Sequence, residues 1–404
     1  MSLLLDAIFN SVAYGHFIVD ALNGQRSILL TYWSHQTGMS NTTLALVTTI
    51  YIWVASLSQP VFGWLADRFG KSRLLAAGGI LWLAAFFSLA LTLPVEWAIP
   101  CLILASLGSA AFHPVGTMQA ALRGKTLLAG RETTSTSWFF FFGQFGYFMG
   151  PIVGGPLLQL FGPAGLLVLA APALIIGLNA SWRLKRPMTA PKQAVRESMV
   201  HGSSRGAGKW FIVALVIVAA LQSWTQQNIG TFLPKYLSDL GQAPAVYGLM
   251  AGVFMGGSGI GNVLGGNMGG SGIGNVLGGI LADRFGRKQV ATVALALASI
   301  PLFLISLVGW SPWLYLLVPL SGALTGAVHS IIVVLAQRVV RGGMALASGL
   351  TLGFMFSAGA LGTLLSGPLA DKWGFPPVFQ MTAGLALIAS LAALALREKP
   401  VTVE

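Results

Sequence analysis

Charge cuts this chain into twelve apolar stretches, and that pattern dictates most of what it can become. They lie near 4–33, 43–66, 74–93, 97–122, 134–160, 164–182, 210–234, 244–282, 289–309, 312–337, 345–370 and 376–396. A bilayer-crossing helix needs roughly 20 apolar residues, so each stretch is predicted to span. Only 8% of the 404 residues are charged, against about a quarter in a typical soluble domain. Such a surface cannot face water, and the connections are too short for a separate catalytic or receptor domain.

The bases between the spans predict orientation. Of 23 Lys and Arg residues, 20 fall in alternate connections: Arg68, Lys71 and Arg73; Arg123, Lys125 and Arg131; seven from Arg183 to Lys209; Arg284, Arg287 and Lys288; Arg338 and Arg341; Arg397 and Lys399. The opposite connections hold Lys235 and Lys372. Cytoplasmic loops retain the bases, so both termini are expected in the cytoplasm of a multi-pass protein of the cell (inner) membrane. The net charge of +12 is then a topology signal and not a nucleic-acid surface. The first stretch lacks a basic flank and a small-residue cleavage site, so it is expected to remain as the insertion signal. Cys101 is the sole cysteine, which excludes an intrachain disulfide.

Residues 183–209 form the one long polar stretch, a linker between an N-terminal bundle (1–182) and a C-terminal bundle (210–404) of six spans each. The halves echo each other. Gly63-Trp-Leu-Ala-Asp67-Arg68-Phe-Gly70-Lys71 closes span 2, and Gly279-Ile-Leu-Ala-Asp283-Arg284-Phe-Gly286-Arg287 closes span 8. His113 and His329 stand at the same offset of 216 in spans 4 and 10. Repeats of this kind build transporters with a site where the halves face each other. A second repeat lies inside span 8, where 255–267 and 268–280 agree at twelve of thirteen positions. Thirteen helical residues add roughly 20 Å, so one copy is expected to be either a sequence artefact or a bulge excluded from the helix.

The duplicated turn suits a gate. Its glycines permit close helix approach, and Asp67 and Asp283 can cap or pair near a helix end while Arg68 and Arg284 stay in water. A degenerate third copy runs from Gly367 through Asp371 to Gly374. Twelve spans, a basic centre and this turn resemble the major facilitator superfamily across nearly the whole chain. The resemblance implies an all-α membrane fold of two pseudo-symmetric six-helix bundles that rock about a central site. Gly146, Gly150, Pro151, Gly154 and Gly155 in span 5 are similar to the GxxxGPxxGG motif of the superfamily's antiporters. Gly15-His16 with Asp20-Ala-Leu-Asn23-Gly24 in span 1, Phe112-His113-Pro114, and 347–354 in span 11 resemble its fosmidomycin-resistance branch of drug:proton antiporters. That branch implies proton-driven efflux of a small phosphonate antibiotic or something similar. Val115-Gly116 departs from the branch, where an acidic residue is expected after His-Pro.

Ionisable groups inside hydrocarbon are costly and are functional candidates. Of 11 acidic residues, Asp20 alone lies well inside a span. His16, Asp20 and Asn23 stand at i, i+4 and i+7, on one helical face. Asp20 with His16 is the expected proton-coupling pair; the competing role is a static packing hydrogen bond. Arg26, the one base inside a span, either holds an anionic substrate or neutralises Asp20. His113, His329, Gln144, Gln222 and Gln226 are further substrate-binding candidates, with interhelical packing as the alternative for the glutamines. Phe139 to Phe142 read as apolar bulk. No histidines stand at HxxxH spacing, so neither metal nor cofactor is expected.

The sequence therefore predicts a monomeric carrier, with no covalent chemistry, that exchanges protons for a small, anionic antibiotic or metabolite. The alternatives are proton-linked uptake of an organic acid and a transport-dead membrane sensor.

Overall fold

A computed structural model describes residues 3–69, 72–127, 132–184, 209–265, 285–337, 339 and 344–396. Among these residues lie twelve α-helices: α1 (Ala7–Thr37), α2 (Asn41–Phe69), α3 (Ser72–Thr92), α4 (Val95–Leu127), α5 (Glu132–Phe161), α6 (Leu167–Arg183), α7 (Lys209–Asp239), α8 (Pro244–Gly265), α9 (Arg287–Val308), α10 (Leu314–Gln337), α11 (Met344–Trp373) and α12 (Phe375–Ala393). Nine contain an apolar window long enough to cross a membrane. α5 is wedged between α1 and α8, and glycines line its contacts with both.

The same pairings recur in each half. α1 packs on α5 and α6 as α7 packs on α11 and α12, and α4 packs on α2 and α3 as α10 packs on α8 and α9. Small residues set the spacing, because lipid provides no hydrophobic drive between helices and close van der Waals contact must replace it. A Cβ added to Gly108 would lie 2.4 Å from Gly79 O, and one added to Gly326 would lie 2.3 Å from Ser258 O. Large apolar side chains such as Leu160, Ile175 and Leu391 point outward, as lipid requires.

The halves meet along two seams, α5 with α8 and α2 with α11. Thr49 Oγ1 donates to Ala360 O at 2.8 Å, and Trp53 Nε1 to Ser357 O at 3.2 Å. The seams begin at the face opposite the basic connections, where Gly155 meets Pro244 and Gly367 meets Thr42, and run inward from there.

One predicted boundary moves. Span 7 does not stop at Pro234, because α7 continues to Asp239, where Lys235 pairs with Asp239 and Tyr236 packs on Phe379. α8 carries the first of the thirteen-residue copies as far as Gly265, and the second copy, 268–280, lies outside the described residues. The extra length falls between the start of α8 and the start of α9. Asn41 to Ser72 separates the starts of α2 and α3 by 31 residues, whereas Pro244 to Arg287 separates those of α8 and α9 by 43.

Asp6 fastens the start of α1 to α4. Its Oδ1 accepts from Phe9 N at 2.7 Å as an N-cap and from Arg123 Nε at 2.8 Å, and Arg123 Nη2 binds Oδ2. Burial pushes this carboxyl up, but Arg123 and the Phe9 N–H outweigh it and hold it below its usual value of 3.8. The bond therefore stabilises the fold above the ordinary aspartate range and is lost as pH falls through the lower folded value. Asp6→Asn is expected to lower the melting temperature at pH 7, and its difference from wild type is expected to shrink as melts go below about pH 4 and to vanish only below the lowered folded value.

Candidate functional site

The helical period places His16 and Asp20 one turn apart on α1, and tertiary packing builds a cage around them. His16 Nε2 lies 3.1 Å from Asp20 Oδ2, and His113 Nε2, from α4, lies 3.4 Å from Asp20 Oδ1. Asn23 Nδ2 donates to Asp20 Oδ1 at 3.0 Å and to Ser109 Oγ at 2.9 Å, while Tyr51 OH from α2 donates to Asn23 Oδ1 at 2.7 Å. Asp20 and His16 are buried.

Both imidazoles are oriented from behind. His16 Nδ1 lies 2.8 Å from Phe139 O, and His113 Nδ1 lies 2.7 Å from Ser109 O. A carbonyl can only accept, so each Nδ1 bears a proton and each Nε2 points at the carboxylate. A carboxylate also only accepts. Each Nε2 contact needs one proton, which either the imidazole or the carboxyl can carry.

The two imidazoles and the carboxylate are also a possible metal-ligand set, with donor atoms within 4.8 Å of one another. Donors around tetrahedral zinc, at about 2.0–2.1 Å from the ion, sit roughly 3.3 Å apart. The three side chains would have to draw together to hold such an ion.

Arg26 does not neutralise Asp20. Its guanidinium lies over the Tyr51 ring, 5.1 Å from the centroid, and its buried Nε has no hydrogen-bond partner. Among the described residues no carboxylate stands within ion-pair reach of it. It lines a cavity of about 20 Å³ between the halves with Asn23, Gly24 and Ser27 of α1, Tyr147 and Pro151 of α5, Gly230 of α7, and Ala251 and Met255 of α8. That space holds about one water molecule.

The antiporter-like residues of α5 bring these groups together. A Cβ on Gly146 would lie 2.2 Å from Phe17 O, on Gly150 2.4 Å from Ala21 O, and on Gly154 1.9 Å from Gln25 Oε1, so this face fits α1 only as glycine. Gly155 and the Pro151 carbonyl face α8, where Gly248 packs, and the Pro151 ring packs on Gly24.

The remaining candidates are dispersed. Gln222 donates to Thr325 O at 3.0 Å and to Gln226 at 3.2 Å, and Gln226 donates to Ser258 Oγ at 2.5 Å, ties that cross-link α7 to α10 and α8. Gln144 is exposed beside Gly259 of α8. His329 faces the Phe356 ring at 6.2 Å. Among the described residues it meets no carboxylate, so the matched histidines have unlike surroundings. Of the gate residues, Gly63 packs loosely on Pro114, Arg68 lies over Trp64 and Phe69, and Gly286 starts α9 with φ 86°, a left-handed value that favours glycine. The Asp67 side chain and residues Gly70, Gly279, Asp283 and Arg284 lie outside the described residues. The third copy of the turn, Gly367 to Gly374, ends α11 on the face opposite the basic connections, away from the other two.

Phe139, Ser109, Tyr51 and Gly143 were missed from sequence. Phe139 stacks on His16 with ring centroids 4.0 Å apart and supplies the carbonyl behind it, so it is not mere bulk. Gly143 stands one helical turn before the glycine face that continues through Gly146, Gly150 and Gly154, the one signal that could have found it. A Cβ there would lie 2.4 Å from His16 Nε2 and 2.7 Å from Asp20 Oδ2. Gly143→Ala is expected to destabilise by about 1–3 kcal/mol through overpacking, read as a lower melting temperature in detergent. Gly384→Ala, at a site with open space, should leave the melt unchanged.

Comparisons with known proteins agree with this architecture. The sequence model described as Major Facilitator Superfamily matches residues 15–268 and 215–404. The chain is 27% identical over 391 residues to an uncharacterized MFS-type transporter, YfnC, of Bacillus subtilis (strain 168), covering 94% of this chain and 90% of that protein. It is 25% identical over 390 residues to the fosmidomycin resistance protein of Escherichia coli (strain K12), covering 95% and 91%. Among solved structures it superposes on the D323A mutant of the nucleoside transporter NupG with a TM-score of 0.75 at 16% identity, covering 97% of this chain and 100% of that one. A bacterial homolog of the human lysosomal transporter Spinster, in an inward-facing conformation, gives 0.73 at 13% identity, covering 98% of both. A multi-pass transporter and not an enzyme, the chain belongs to the major facilitator superfamily.

Proposed function

We propose that this transporter exports a small anionic compound in exchange for protons, with Asp20, His16 and His113 as the proton site and Arg26 as the anion site. The observation that carries the reading is the separation of charges: the buried carboxylate is enclosed by two imidazoles, while the neighbouring guanidinium, at a cavity between the halves, meets no anion among the described residues.

The chemistry follows from the donors. While both Nε2 atoms carry protons, the contacts at 3.1 and 3.4 Å are attractive, and the second, from His113, holds α4 to α1. Loss of one proton leaves an imidazole lone pair facing a carboxylate oxygen, a repulsion that separates the two groups unless another proton arrives. Proton occupancy thereby becomes a packing force between helices. Asn23 and Tyr51 link this site to the ring on which Arg26 rests, so an anion bound at Arg26 acts on the same side-chain network. With the basic connections on the cytoplasmic side, the face where α5 meets α8 and α2 meets α11 is the outer one.

The fosmidomycin resistance relative and the antiporter-type glycine face of α5 support export over uptake. The test uses purified protein in liposomes of defined orientation, loaded with a pH indicator and offered fosmidomycin and other small phosphonates and carboxylates under an imposed pH gradient. A hit should move against its own gradient toward the outer side. Asp20→Asn should abolish the pH-driven component and leave exchange without a gradient. Persistence of full gradient-driven transport in that variant sinks the coupling assignment. Arg26→Ala should weaken binding of the hit about ten- to hundredfold, the scale of a hydrogen-bonded charge. Unchanged affinity would remove Arg26 from the site, and accumulation on the inner side would establish uptake instead.

A further inference from the structure

The halves close the face opposite the basic connections with two contacts in equivalent places. At one, the Asp371 carboxylate, near the end of α11, accepts from Asn41 N at 2.7 Å, Thr42 N at 2.9 Å and Thr42 Oγ1 at 2.5 Å, at the start of α2. At the other, Gln159 Oε1, near the end of α5, accepts from Ala245 N at 3.3 Å, at the start of α8. Each helix end thus caps a helix of the other half.

The internal repeat makes these one device used twice. Gly155-Pro-Leu-Leu-Gln159 and Gly367-Pro-Leu-Ala-Asp371 stand 212 residues apart, as do Gly150 and Gly362, which pack on Ala21 of α1 and Trp224 of α7. Thr42 and Ala245 stand 203 apart, as do the starts of α2 and α8 at Asn41 and Pro244. The glycines correspond as well. A Cβ on Gly155 would lie 2.5 Å from Pro244 O, and one on Gly367 would lie 2.8 Å from Thr42 Cα, so each lets the capping helix end touch its partner.

Acceptors match donors at each point. First-turn N–H groups have no acceptor within their own helix. α2 begins with Asn41 and offers two of them to Asp371, its third, Thr43 N, being met by Ser40 Oγ at 3.1 Å. α8 begins with Pro244, which has no N–H, so one group is offered and an amide oxygen meets it. Two main-chain donors and a hydroxyl face a carboxylate, and one main-chain donor faces an amide.

We infer that Asp371 and Gln159 form a two-point latch that must release before this face can open, and that Asp371 is the stronger point. A carboxylate at a helix N-terminus gains from the helix dipole and from charge-assisted hydrogen bonds, and an amide gains from a single neutral bond. Both points sit at an exposed rim where water and salt screen them, so releasing one shifts populations severalfold and not by orders of magnitude. The inference rests on the fold alone and holds whether or not Asp20 couples protons.

The test is a distance measurement across the closed face. Spin labels at Leu93→Cys, between α3 and α4, and Trp313→Cys, before α10, occupy exposed positions in opposite halves. With Cys101→Ser as background and the protein in nanodiscs, double electron–electron resonance reads the open fraction. Asp371→Ala should raise the long-distance population about three- to tenfold, and Gln159→Ala should raise it less. Adding Gln159→Glu to Asp371→Ala should return the distribution toward wild type, because it restores a carboxylate at the mate position. A loosened or misfolded chain would not regain the short distance in this way, and thermal melts of each variant check folding separately. An unchanged distribution in Asp371→Ala overturns the latch, as does an opened distribution that Gln159→Glu fails to narrow.

Discussion

The structure depends on how closely α5 can approach α1. Hydrocarbon offers no hydrogen bonds, so every polar group at mid-membrane must find its partner in protein. Glycine at 143, 146, 150 and 154 removes the Cβ atoms that would hold the two backbones apart. At that distance the Phe139 carbonyl reaches the His16 ring, and the ring in turn is aimed at Asp20. A motif read as a mark of antiporters is in physical terms the condition for a carboxylate and an imidazole to coexist in the bilayer.

The halves share a fold and divide the chemistry. Gly150 packs on Ala21 as Gly362 packs on Trp224, and in that register Asp20 corresponds to Ser223 and Gly143 to Met355. Ser223 Oγ donates to Met355 O at 2.5 Å. The C-terminal half therefore fills the acid's position with a hydroxyl bonded to main chain, and the N-terminal half keeps the ionisable cluster. The same division recurs at the rim, where Asp371 and Gln159 occupy matching places. Duplication supplied two scaffolds, and single substitutions placed charge at one of each matching pair.

The two seams also differ in kind. α5 and α8 meet through glycine and main chain, with Gly248 against the Pro151 carbonyl and Gly252 against the Phe148 carbonyl. α2 and α11 meet through hydroxyl, indole and carboxylate hydrogen bonds. The glycine seam, with the Gln159 bond at its rim, can slide with less loss than the polar seam, which must exchange more partners for water. This contrast gives a rocking motion a smooth side and a notched side.

Much was legible in the order of residues alone. Apolar length set the twelve helices, the distribution of bases carried an orientation signal, and the period of 3.6 put His16, Asp20 and Asn23 on one face, because these depend only on chain geometry and solvent. What the sequence could not decide was which faces meet and at what depth. His113 reaches Asp20 from another helix, Arg26 turns to Tyr51 and not to Asp20, and the third copy of the turn belongs with the end of α5, since those outcomes depend on interhelical distances of a few ångströms. Spacing within a helix is fixed by the backbone. Contact between helices is fixed by where side chains are small enough to let backbones touch, and that emerges only when all twelve are packed.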